Sequence, residues 1–195
     1  MLTYEGHLSL RDARARYFRD NDFGDDGGYA RKWVQLQLGP LPFAFPNSAA
    51  RVRAVKYHDL HHVVTGYATD VAGEAEIGAW EIGSGCAGFV AAWILNLYAM
   101  VLGFGSGNAA AVWRAFLRGR RTRNLYRTDY DDTLLDTPLA AARAQLGLDA
   151  TRATESATLA ERAAFAGWSA VAIALSIATL AVLLAPLWIL LRALV

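Results

Sequence analysis

Residues 58–74 read HDLHHVVTGYATDVAGE, and three of the chain's four histidines fall within the first five positions. Side chains four apart on an α-helix share a face, so a helix here projects His58 and His62 together. Asp59 lies about 100° round the helix from His58, at the edge of that face. Glu74 follows twelve positions after His62. The intervening Gly66 and Gly73 permit a chain reversal, so an antiparallel second helix brings Glu74 opposite the cluster. Two imidazoles and two carboxylates converging on one point suit zinc or another divalent first-row metal. A polar helix face near solvent is the alternative, and spacing alone leaves both open. His61 points elsewhere on the helix, behind the ligands or to solvent, and His7 reads as a lone exposed histidine.

Working outward, the histidine helix is expected over 49–65, capped by Asn47 or Ser48 and ended by Gly66. A second helix begins near Val71 and continues through the uncharged run CAGFVAAWILNLYAMVLGFG at 86–105. Length permits a membrane span there, but Gly85, Gly88, Gly103, Gly105 and the polar Asn96 favour a packed interior helix. Upstream, Leu10, Ala13, Tyr17 and Phe18 give residues 9–19 the apolar side of a short helix. NDFGDDGG at 21–28 is a loop without the ligand alternation of a calcium loop. WVQLQLG alternates in the strand manner but runs into PLPFAFPN. Its prolines exclude a helix or a central strand, which predicts an extended surface segment. Downstream, AAAVWRAFLRGRRTR at 109–123 is a basic amphipathic helix, lying either on an acidic membrane or as a solvated face. A further helix starts at Pro138.

A net charge of +1 argues against nucleic acid as a partner. The single cysteine, Cys86, allows no internal disulfide and reads as a small buried residue. The first eighteen residues lack a signal-peptide core, so the chain is expected to start near Met1 and to be made in the cytosol. From Ala163 to Leu191 there is no charged residue, and about 20 apolar residues suffice to cross a bilayer. Trp168 and Trp188 stand towards its ends, where interfacial aromatics belong. The expected organisation is a helical domain over 1–150, a linker over 151–162 and a C-terminal transmembrane anchor over 163–195. Arginines preceding the anchor are expected to keep the domain on the cytoplasmic side, and the heavy use of Ala, Arg and Gly suits a bacterial gene, which together give a bacterial inner membrane as the expected location.

HDxxH, eleven residues, then Glu resembles the motif of the Coq4 family of ubiquinone biosynthesis proteins, present unbroken as His58, Asp59, His62 and Glu74. Gly66, the pair Trp80–Glu81 and the section from 119 to 148 extend the likeness over roughly residues 10–150. The resemblance implies a mostly α fold with a metal site beside an apolar cavity that accepts a prenyl lipid. It implies a divalent metal, Zn2+ for preference, held by His58, Asp59, His62 and Glu74. The implied reaction is removal of the C1 carboxyl group from a polyprenyl-hydroxybenzoate, a lyase activity. Glu81, two helical turns beyond Glu74, is the candidate to shuttle a proton to C1. Implied partners are a polyprenyl-quinone precursor, the membrane, other quinone-biosynthesis proteins and a second copy of the chain as a homodimer. The C-terminal anchor is a departure from the family. Two rivals stay open: a non-catalytic prenyl-lipid scaffold, and another metal-dependent enzyme acting on a membrane lipid.

Overall fold

Alternating helix signals and stop signals build a mostly α-helical chain, seen in a computed structural model that describes residues 2–38, 41–149 and 156–193. Helix α1 (Leu10–Asp20) starts where the Ser9 hydroxyl accepts the Asp12 amide proton, and buries Leu10, Ala13, Tyr17 and Phe18. Strands β1 (Trp33–Leu38) and β2 (Leu41–Pro46) pair antiparallel, with Trp33 opposite Pro46 and Leu38 opposite Leu41. The segment expected to be merely extended is therefore a hairpin. In a two-stranded sheet both strands are edges, so prolines cost no shared ladder bond if they face outward. Residues 39 and 40, residue 150 at the end of the expected domain, 151–155 of the expected linker and 194–195 of the expected anchor lie outside the described residues.

Helix α2 (Ala49–Thr65) has the expected bounds, with Ser48 as its cap and Gly66 at φ 79° as its terminator. A side chain at Gly66 would strain that left-handed turn. The last carbonyls of α2 have no intrahelical donors, and two arginines supply them. Arg118 donates to Thr65 O, and Arg143 to Val64 O and Val63 O. Arginines read as membrane-facing charge thus include two committed to the end of the histidine helix.

Helix α3 (Val71–Ser84) is capped by Asp70 and ends at Gly85, φ 87°. Helix α4 (Val90–Gly105) follows as a separate element. The single helix expected from 71 to 105 is broken because Gly85 and Ala87, φ 46°, turn the chain left-handed. This break lets α4 fold back against α3. Helix α4 is not wholly interior: Asn96, Leu97 and Met100 are buried, whereas Val90, Ile94, Leu95 and Leu102 are exposed. Helix α5 (Ala109–Arg121) crosses α3 at glycines from both sides. A Cβ on Gly119 would lie 2.2 Å from Trp80 O, and one on Gly83 2.4 Å from Phe116 O. Short helices α6 (Asp132–Leu135) and α7 (Leu139–Leu146) close the domain over α1 and α2.

Helix α8 (Leu159–Ala193) begins four residues before the expected anchor and is long and apolar enough to cross a membrane. Its 35 residues extend about 50 Å, against about 30 Å of bilayer hydrocarbon. The first part is bound to the domain. Phe165 packs on Phe104, Trp113 and Phe116, Trp168 stacks on Trp93 at 4.8 Å, and Arg121 pairs with Glu161 at 2.8 Å. Tyr98 and Thr179 share a hydrogen bond of 2.6 Å. Beyond it Leu180, Val182, Leu183 and Leu184 are exposed. Trp168 is thus a packing residue, while the Trp188 side chain lies outside the described residues.

The α3–α5 crossing makes a direct prediction. Gly119→Val should destabilise the protein by about 3 kcal/mol or more, since the added carbons meet backbone that cannot swing aside. Gly167→Ala, at a helical position with open space around it, should leave the melting temperature equal or higher. Thermal denaturation in detergent compares the two.

Candidate metal centre

The cap of α2 and the Gly66 turn set the phase of the histidine helix against α3. His58 and His62 sit one turn apart, and their Nε2 atoms come within 3.1 Å of each other. From α3, Glu74 places Oε2 3.4 Å from His58 Nε2 and Oε1 3.3 Å from His62 Nε2. His62 is fully buried, while Glu74 is 42% exposed, so the cluster opens to its surroundings on the Glu74 side.

The hydrogen bonds behind the rings decide where the ring protons are. His62 Nδ1 lies 3.0 Å from the Tyr67 carbonyl oxygen, which can only accept, so Nδ1 carries the proton and Nε2 presents its lone pair. His58 Nδ1 donates to Glu81 Oε1 at 2.9 Å, so Nε2 is the position freed when the ring gives up its second proton. Two lone pairs facing each other at 3.1 Å repel unless a cation or proton lies between them. Ligand atoms about 2.0–2.1 Å from a tetrahedral zinc stand about 3.3 Å apart, so the observed 3.1, 3.3 and 3.4 Å separations fit such a shell. His58, His62 and Glu74 form a group that could hold a metal ion.

Asp59 does not join that group. Its Oδ2 accepts from the Tyr29 hydroxyl at 2.5 Å, and the residue is buried. Being about 100° from His58 turns it along the helix surface to the 28–30 loop instead of to Glu74. Burial pushes its carboxyl up, and the Tyr29 bond and the two nearby imidazoles only partly offset that.

Glu81, the expected proton shuttle, is fully buried and accepts from four donors. His58 and His61 share Oε1 at 2.9 and 2.7 Å, and Tyr126 and the Asn96 amide share Oε2, the tyrosine at 2.6 Å. Burial alone would raise its pKa, but the two histidines outweigh that and hold the carboxyl well below its usual range. His61 is neither exposed nor idle. Its Nε2 accepts the Leu125 amide proton at 3.0 Å, so its proton is on Nδ1, pointing at Glu81. Burial pushes this imidazole down and keeps it neutral. His58 behaves oppositely: burial would lower it, but Glu81 and Glu74 raise it well above the ordinary value. The same contacts with His58 and His62 outweigh burial at Glu74 and hold that carboxyl low.

Sequence reasoning missed the support residues Tyr126, Tyr29 and the Tyr67 carbonyl. Asn96 carried a signal, as the lone amide inside an apolar run; the others carried none. No family model, curated protein or solved structure matches the chain.

Two outcomes test the centre. His58→Ala and His62→Ala should each lose bound zinc, measured by elemental analysis after purification without chelators. Glu81→Gln, which keeps the ligands but removes the charge behind His58, should weaken zinc about 10–100-fold. Because the His58 imidazolium persists above its ordinary value of 6.5, a proton competes with metal there. Apparent zinc affinity should thus keep rising about tenfold per pH unit above that value, and a plateau already reached at 6.5 would contradict the assignment.

Proposed function

We propose that this protein is a membrane-attached, metal-dependent lyase that removes the C1 carboxyl group of a polyprenyl-hydroxybenzoate in ubiquinone biosynthesis. The observation that carries the reading is the pair of Nε2 atoms 3.1 Å apart, each with an acceptor behind its ring at Nδ1, with Glu74 across from them. A substrate with a polyprenyl tail stays in the bilayer, and α8 is long and apolar enough to bring the domain there. The exposed apolar face of α4 flanks α8 and offers the tail an apolar surface next to that helix. The likeness of HDxxH and Glu74 to the Coq4 family supplies the substrate class.

His58, His62 and Glu74 would hold the ion, Zn2+ for preference. When bound, it supplies Lewis acidity towards a ring oxygen of the substrate. Glu81 and the Tyr67 carbonyl keep both imidazoles in the ligating tautomer. In the reaction the bond from C1 to the carboxyl carbon breaks, carbon dioxide leaves, and the electron pair on the ring takes a proton at C1. Glu81 has four donors and no proton to give, so its part is to position His58. Asp59 faces Tyr29 and not the ligands, so that proton comes from water on the exposed Glu74 side.

Glu74→Gln separates catalysis from scaffolding, since the amide keeps the size and is the poorer ligand. A deletion strain carrying this variant should accumulate the carboxylated prenyl-benzoate, measured by mass spectrometry of lipid extracts, while the protein remains folded and membrane-bound. Normal quinone levels from a stable, metal-depleted variant would end the catalytic reading in favour of a prenyl-lipid scaffold.

A further inference from the structure

A cavity of about 620 Å³ lies apart from the histidine cluster, between the 28–32 loop, the first two turns of α2 and Tyr130. Arg31, Lys32, Arg53 and Lys56 line it, and no carboxylate does among the described residues. None of the four makes an ion pair with a carboxylate among the described residues. Asp26 partly offsets Arg31, but the remaining like charges round one cavity repel one another, and an entering anion relieves that repulsion. Two of the charges are steadied by ring faces instead of by carboxylates. Lys56 Nζ lies 5.7 Å from the Tyr29 ring and 5.6 Å from the Tyr130 ring, and the Arg53 guanidinium lies 5.3 Å from Phe89. Their N–H groups keep donor capacity for a ligand.

The cavity is built in advance. Asp26 accepts the amide protons of Gly28 and Ala30, which shapes the loop. Asn47 donates to the carbonyls of Gly28 and Arg31, stitching that loop to the entrance of α2. Arg53 and Lys56 are three apart, on one face of α2, and the helix presents its positive end in the same region. The buried Asp59 side chain accepts from the Tyr29 hydroxyl behind the cavity wall.

We propose that this cavity binds a multiply charged phosphate group, a phosphate monoester or diphosphate, borne by a soluble molecule or by a lipid. Four cations call for more negative charge than one carboxylate carries. The volume leaves room for the organic part of the ligand against Tyr29 and Tyr130. The assignment is independent of the reaction proposed for the histidine cluster.

The test is calorimetric titration of pyrophosphate into the full chain in neutral detergent, after chelation to remove metal. Saturable binding is expected, weakening with added salt and falling at least tenfold in Lys56→Gln and in Arg53→Gln. Lys56→Arg should restore it, and His62→Ala should bind like the wild type. Arg53 is exposed, so its variant serves even if Lys56→Gln fails to fold. Absence of saturable binding would overturn the proposal. So would binding lost in His62→Ala but kept in Arg53→Gln, which would put the anion at the histidine cluster. Displacement of pyrophosphate by dihexanoyl phosphatidic acid, and not by dihexanoyl phosphatidylcholine, would assign the phosphate to a lipid. No displacement by either, with the variants behaving as stated, would assign it to a soluble ligand.

Discussion

The buried carboxylate of Glu81 is the point at which four parts of the chain are tied together. It accepts hydrogen bonds from His58 and His61 on α2, Asn96 on α4 and Tyr126 in the segment after α5. An isolated charge at zero exposure would cost several kcal/mol. Here each oxygen has two donors, so the charge is satisfied only when α2, α3, α4 and that segment are all in place. Removing any one donor leaves part of an ion uncompensated. The network therefore specifies one packing of the helices and not several similar ones, and it orients a candidate metal ligand in the same stroke.

That network needs α3 to lie close to its neighbours, and the glycines provide the approach. Gly83 and Gly119 let α3 and α5 touch backbone to backbone, and Gly103 lets α4 meet Ala75 and Val112. Larger residues would push α3 outwards, moving Glu74 and Glu81 away from the imidazoles together. Arg118 and Arg143 hold the far end of α2 through its last carbonyls. The basic character of α5 thus serves internal capping as well as its surface, with Arg118 and Arg121 bound inward and Arg114 and Arg120 exposed.

The relation of α8 to the domain is also a packing result. Phe165, Trp168 and Thr179 bind it to α4 and α5 from its first turns to past its midpoint. The exposed Leu180–Leu184 stretch continues past the domain. The apolar face that α4 leaves open adjoins this helix, so the two present one apolar surface. A water-facing position for that surface would be unfavourable by its area.

Local rules in the sequence were enough for the helices with clear boundaries. Ser48 and Gly66 bracket α2, and a run without charge marks α8. The spacing of His58, His62 and Glu74 was enough to bring them together, because helical phase and a short reversal are local properties. Tertiary structure alone decided the rest. Pairing of β1 with β2 depends on partners that proline chemistry does not reveal. The break at Gly85–Phe89 turns on backbone angles that an apolar run conceals. Asp59 faces Tyr29 and Glu81 faces four donors because residues distant in sequence reach them, and no periodicity encodes those distances. Sequence determined which side chains could ligate; packing determined which of them face a common point and which stand behind.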